Sequence, residues 1–155
     1  MSNRRYTVDQ TNVDGFKVFT LRDIKRQALA KVIPELGNNC YRFTQTVGTE
    51  PINIITPPPN LKTLAQRPSG YGNPILFPFP NRIRGGCFLF EGKQYTFDKA
   101  PNSPNSIHGL VIDQPFHVDS ISTDDGATIT CRLNSENHPH IERQFPFKFE
   151  LKITY

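Results

Sequence analysis

Tryptophan is absent from this sequence, methionine occurs once and cysteine three times. Cys40, Cys87 and Cys131 are widely spaced and odd in number, which excludes a disulfide framework and any CxxC metal or redox motif. Free thiols suit a reducing compartment. Apolar runs are short as well: no stretch approaches the length that crosses a bilayer, and the polar opening Met1–Asp9 lacks the apolar centre of a secretory signal. The expected location is therefore cytoplasmic, with no membrane partner. Charge of one sign never accumulates, since 18 Lys and Arg alternate with 14 Asp and Glu for a net charge of +4. With neither a helix-borne basic stripe nor an RNA-binding motif, nucleic acid is not an expected partner.

What the chain does contain is turn formers and rings. Its 155 residues, enough for one domain, include 14 Pro, 10 Gly, 12 Phe and 5 Tyr, a mixture that suits short strands joined by tight turns. Hydrophobic residues (36%) and charged residues (21%) are both spread along the chain, which argues against disorder.

Periodicity then places the strands. Phe16–Leu21 runs into a charged turn at Arg22-Asp23, and Gln27–Ile33 alternates until Pro34 stops it, a first hairpin. Glu35–Asn39 has turn chemistry, because Gly and Asn accept positive φ, and leads into a strand over Cys40–Thr44. Ile52–Ile55 is a short strand closed by Pro57-Pro58-Pro59, and Leu61–Arg67 allows one helical turn before Pro68. The segment Ser69–Pro80 is too apolar for a floppy linker and too rich in proline for a central strand, so an ordered loop packed on the core is expected. Two more hairpins follow: Cys87–Phe90 with Gln94–Phe97 about Gly92, and Phe116–Thr123 with Ala127–Leu133 about Asp124-Asp125-Gly126.

The clearest period-2 run comes last. Phe147, Phe149, Leu151, Ile153 and Tyr155 fall on one face, with Lys148, Glu150, Lys152 and Thr154 on the other. A chain that stops inside its best strand is expected to continue past Tyr155 in a longer protein, and its open sheet edges offer a route to homo-oligomers.

From the residues alone, the candidates for chemistry carry bland readings too. Arg82, just after the Pro-rich loop, serves equally as a tie to backbone carbonyls or as a ligand contact. Arg84 shares its face if the segment is extended, and reads as a solvated charge. His108, beside Gly109, fits a packed turn or a pocket wall. His117 reads as a strand-face residue. His138 and His140 have the spacing of a metal pair, but no cysteine or third histidine is near them in sequence, so no metal site is expected. Glu35, Asp98 and Asp113 are carboxylates that no sequence logic pairs, and capping or solvated roles suit them. Phe77, Phe79, Phe88, Phe90, Tyr95 and Phe97 read mainly as core, with one or two able to floor a ligand site.

The run Gly72–Ile83 (GNPILFPFPNRI), then Gly86-Cys87-Phe88, Gly92–Tyr95 and Ile107–Leu110 (IHGL), resembles the aldose 1-epimerase (galactose mutarotase-like) family, where these pieces occur in the same order. The resemblance extends upstream to Val32–Asn38 and downstream to Phe145-Pro146-Phe147 and the strand ending at Tyr155. It implies an all-β antiparallel β-sandwich of which residues 1–155 form the N-terminal part, apparently incomplete at its C-terminus. It implies an isomerase that interconverts the α and β anomers of galactose, glucose or a hexose 6-phosphate by acid/base ring opening, with no cofactor or metal required. Arg82 and His108 match sugar-contacting positions, and Asn81 is a supporting neighbour. The family's catalytic histidine and glutamate are expected beyond Tyr155. Asn137–His140 superficially fits the histidine motif but precedes the Phe145–Phe147 segment, whereas the family's acid follows it. A non-catalytic carbohydrate-binding module and a β-edge interaction domain are the alternatives.

Overall fold

The computed structural model describes residues 4–155; Met1–Asn3 of the polar opening lie outside the described residues. Strands β1 (Tyr6–Val13), β2 (Phe16–Asp23), β3 (Ala28–Ile33), β4 (Asn39–Val47) and β5 (Glu50–Ile55) form an antiparallel five-stranded meander in chain order. The short helix α1 (Leu61–Gln66) follows, then the ordered Pro-rich loop and the strands β6 (Arg82–Arg84), β7 (Cys87–Phe90), β8 (Lys93–Thr96) and β9 (Asn105–Ile107). These pair as two ribbons, β6 with β9 and β7 with β8. Strands β10 (His117–Ser122), β11 (Thr128–Asn134) and β12 (Glu150–Thr154) make a three-stranded sheet, with a 3-10 turn and helix α2 (Pro139–Gln144) between β11 and β12.

The expected antiparallel β-sandwich is what forms. Phe19, Leu21, Val32 and Cys40 on the inner face of the five-stranded sheet pack with Ile129, Cys131 and Leu133 of β11 and Ile141 of α2. Burying Ile129, Leu133 or Ile141 stabilises the fold by roughly 1.5–3 kcal/mol per side chain. Among the described residues the outer face of the same sheet is covered at one end, where Leu61 and Leu64 of α1 meet Val18, Ile33, Leu36 and Tyr41. That helix is one of the expected turns. Asn60 caps it by accepting from the Thr63 N–H at 2.8 Å, Asp14 accepts from the Leu61 N–H at 2.9 Å, and it ends just before Pro68.

Differences from the expected elements have local causes. Strand β1 is additional to the expected strands, and Asp14-Gly15 (φ 52° and 91°) closes its hairpin with the same two-residue turn that Glu91-Gly92 (φ 48° and 75°) makes between β7 and β8. The turn after β2 falls later than Arg22-Asp23, because Asp23 still pairs with Ala28. Asp124-Asp125-Gly126 does close a hairpin, but a longer one: Ser122 pairs with Thr128, and the Ser122 hydroxyl donates to the Asp124 carboxylate at 2.8 Å. Helix α2 starts at Pro139, a residue preorganised for the first helical position. The last strand alternates as expected, with Leu151 and Ile153 half-buried and Glu150, Lys152 and Thr154 exposed.

All three cysteines are free thiols, Cys40 and Cys131 buried and Cys87 partly exposed. Burial pushes the Cys131 thiol up to about 11 and raises that of Cys40. Thiolate is the reactive form, so a disulfide reagent on native protein should titrate Cys87 rapidly and the other two only on unfolding. Fast labelling of all three would contradict this packing. Among the described residues no helix is long and apolar enough to cross a membrane.

Candidate functional site

Asn81, Arg82 and His108 come together where the β6–β9 ribbon frays. Arg82 is paired with Ile107 in register, and one step further the His108 N–H donates to the Asn81 carbonyl at 2.9 Å. Both Asn81 (φ 59°) and His108 (φ 65°) are left-handed, a conformation that costs most non-glycine residues about 1–2 kcal/mol and that asparagine tolerates best. The two turns lock each other through their side chains. The Asn81 N–H donates to His108 Nδ1 at 3.3 Å, and Arg82 Nη1 donates to Asn81 Oδ1 at 3.3 Å.

Those bonds set the chemistry of the groups left over. An Nδ1 that accepts from a backbone N–H carries no proton, so the neutral imidazole holds its proton on Nε2 and presents it as a donor. The remaining guanidinium N–H groups of Arg82 are a fork for oxygen acceptors, and among the described residues neither Arg82 nor His108 has a carboxylate partner. Arg82 and Asn81 are exposed and His108 is half-buried. Arg84 is exposed on the same side of β6 as Arg82, with Ile83 turned the other way.

The Pro-rich loop is held against this ribbon from below. The Phe77 carbonyl accepts from the Leu110 N–H at 2.7 Å, and Phe77 bridges Gly109 in parallel. A Cβ on Gly109 would sit 2.0 Å from the Phe77 oxygen, so only glycine fits beside His108. Beyond the loop, the aromatics form a continuous cluster. Phe79 lies 4.8 Å from the buried Phe97, Phe88 stacks on Phe97 at 5.3 Å, and Phe145 joins Phe88, Phe97 and Phe77. Phe90 remains exposed and meets Phe147 edge-on.

Asn81, Arg82 and His108 line none of five surface cavities elsewhere on the described residues, although one of these is lined by Ile107 and Gly109 on either side of His108. The three form an open surface, able to bind hydroxyls but holding no paired acid and base. The other sequence candidates lie elsewhere. Glu35 accepts from the Lys17 N–H, Asp113 accepts from the Gln114 amide, and His117 is exposed on β10. Asp98 pairs with Arg143, whose guanidinium holds its carboxyl below the usual range. His138 and His140 flank the start of α2 with ring centroids 5.9 Å apart, and burial lowers the pKa of His138. Among the described residues no three metal-ligating side chains gather.

The sequence model of a family described as aldose 1-epimerase matches residues 20–155. The chain belongs to the aldose 1-epimerase family. Its fold is similar to that of a galactose mutarotase-like protein from Clostridium acetobutylicum (TM-score 0.85, 23% identity, covering 99% of this chain and 46% of that one). It is also similar to the Slr1438 protein from Synechocystis (TM-score 0.67, 26% identity, 100% of this chain and 47% of that one). The galactose 1-epimerase of Lactobacillus acidophilus overlaps it with a TM-score of 0.71 at 16% identity, over 99% of this chain and 44% of that one. The chain thus spans less than half the length of these relatives. What sequence reasoning missed at the site is its backbone: the left-handed pair was signalled only by Asn81 itself and by glycine after His108.

Proposed function

We propose that this chain supplies the sugar-contacting part of an aldose 1-epimerase-type isomerase acting on a hexose or hexose 6-phosphate. The observation that carries the reading is the Asn81 N–H donating to His108 Nδ1, which leaves Nε2–H free to hold a sugar hydroxyl next to the Arg82 fork. Two directional donors tied to the same asparagine suit a polyol ring. Family membership supports the choice of sugar over other polyols.

Anomer exchange requires a base that takes the proton from the anomeric hydroxyl and an acid that protonates the ring oxygen; the chain rotates about its first carbon–carbon bond and recloses with the transfers reversed. In this proposal Arg82 and His108 orient the ring while the acid and base come from polypeptide beyond Tyr155. A fork beside Arg84 would also accept a phosphate ester, which keeps hexose 6-phosphates within the substrate class. A non-catalytic sugar-binding module is the second reading, favoured by there being no carboxylate ion-paired with Arg82 or His108 among the described residues.

Polarimetry separates these. The 155-residue chain should leave the mutarotation of α-D-galactose or α-D-glucose at its buffer rate, while a chain completed with the remainder of the family domain should accelerate it. Acceleration by the 155-residue chain would put the acid and base inside it and overturn their assignment. A completed domain that binds sugar without accelerating the reaction would favour the module.

A further inference from the structure

The uncovered part of the five-stranded sheet's outer face carries charge in a pattern that sheets ordinarily avoid. Side chains alternate between faces along a strand, and Leu21 and Ala30 belong to the inner core, so Thr20, Arg22, Leu29 and Lys31 share the outer face. Lys31 stands directly opposite Arg42 on β4. Arg22 is diagonal to Lys31, since its own partner is Leu29. Like charges placed directly opposite destabilise a sheet. Among the described residues their one ion pair is with Asp9 of β1, which meets Arg22 at 3.4 Å with both side chains well exposed. Among the described residues neither Lys31 nor Arg42 has a carboxylate within ion-pairing distance.

One of these cations is tethered to its own strand. Arg42 Nε donates to the Thr44 hydroxyl at 3.3 Å, and that hydroxyl donates to Asn53 Oδ1 at 3.0 Å. Thr44 is buried, and among the described residues no hydrogen bond engages the terminal nitrogens of Arg42. Across from Lys31 on the other side lies the buried hydroxyl of Thr20. Lys31 itself is half-buried, and burial followed by the charges of Arg42 and Arg22 lowers its pKa. An anion here would offset the repulsion among the three cations and compensate the charge that burial disfavours on Lys31.

We propose that this face binds a phosphate-class oxyanion between Lys31 and Arg42, with Arg22 as an outer contact. The planar guanidinium can donate two parallel N–H bonds to one edge of a tetrahedral oxyanion while the ammonium acts on a further oxygen as a point charge. Orthophosphate and a phosphate monoester share this chemistry. The site is separate from the one formed by Asn81, Arg82 and His108, which lies on the β6–β9 ribbon.

The test is an NMR titration of the 155-residue chain with inorganic phosphate, and separately with glycerol 3-phosphate, at ionic strength held constant with chloride. Saturable shifts of the Arg42 Nε–H and of neighbouring β3 and β4 amides are expected. Affinity should fall roughly tenfold or more in Lys31→Met and in Arg42→Gln, and stay unchanged in His108→Asn. Tighter binding of the ester would point to a phosphorylated metabolite, and equal binding to free phosphate; either supports the site. Both variants relieve like-charge repulsion, so they should fold at least as well as the parent. The proposal fails if phosphate produces no saturable shift beyond the chloride control, or if the shift persists in both variants.

Discussion

Gly109→Ala should destabilise the protein by roughly 3 kcal/mol or more, the range reached by single substitutions that force backbone overlap. The added Cβ would lie 2.0 Å from the Phe77 oxygen and 2.4 Å from its carbonyl carbon, both backbone atoms that no rotamer change can move. Relief requires the Pro-rich loop to lift away from the β9 end, breaking the 2.7 Å bond between Leu110 N–H and Phe77 O. A φ of 79° adds its own strain. Gly92 is the control, since its φ of 75° imposes similar strain while nothing lies within 4 Å of an added Cβ. Gly92→Ala should therefore cost only about 1–2 kcal/mol. Urea midpoints of the two variants decide the matter, and equal losses would mean that the loop is not seated on Gly109 as described.

The second large effect concerns binding. Replacing Arg82 should weaken galactose or glucose binding roughly tenfold or more, because a hydrogen bond to a charged group contributes about 1.5–3 kcal/mol, and replacing the neutral His108 should weaken it by roughly threefold to tenfold, the range for about 0.5–1.5 kcal/mol. The substitution matters as much as the position. His108→Ala forces alanine to a φ of 65°, so a loss of affinity could reflect a shifted turn. His108→Asn avoids this, since asparagine tolerates the left-handed region and removes only the imidazole. By the same logic Asn81→Gly preserves the backbone while deleting the carboxamide that Arg82 Nη1 contacts. It should weaken sugar binding less than Arg82→Ala does, and the Asn81 and Arg82 effects should be non-additive because the two side chains share a bond. Calorimetry on variants with unchanged urea midpoints provides the comparison. Affinity untouched in both His108→Asn and Arg82→Ala would remove these residues from the site.

Much of the fold was legible because its signals are local. The alternation of Phe147–Tyr155, the Gly37-Asn38 turn (φ 64° and 48°) and the Gly92 hairpin each follow from residue types within a few positions. Strand β1 was equally legible through Asp14-Gly15, but its exposed, polar sequence gives little hydrophobic contrast. Strands β6 and β9 were not, because each is only three residues long and each exists through its partner across the loops between them. Helix α2 hides behind Pro139 and is fixed by one buried side chain, Ile141, plus Gln144, whose carboxamide accepts from the Asp98 N–H at 2.6 Å. The candidate site divides the same way. Family resemblance picked out Arg82, His108 and Asn81, yet the feature that gives them direction is a reciprocal pair of bonds between residues 27 apart, the His108 N–H to the Asn81 carbonyl and the Asn81 N–H to His108 Nδ1.

The most direct measurement is a galactose titration followed by NMR on the Asn81 amide and the His108 ring. We expect both, with the Arg82 Nε–H, to move together along one saturable curve while the amides of Lys31 and Arg42 on the outer sheet face stay still. A saturable response elsewhere in the chain with Asn81 and His108 unmoved would contradict the assignment of this surface to the sugar.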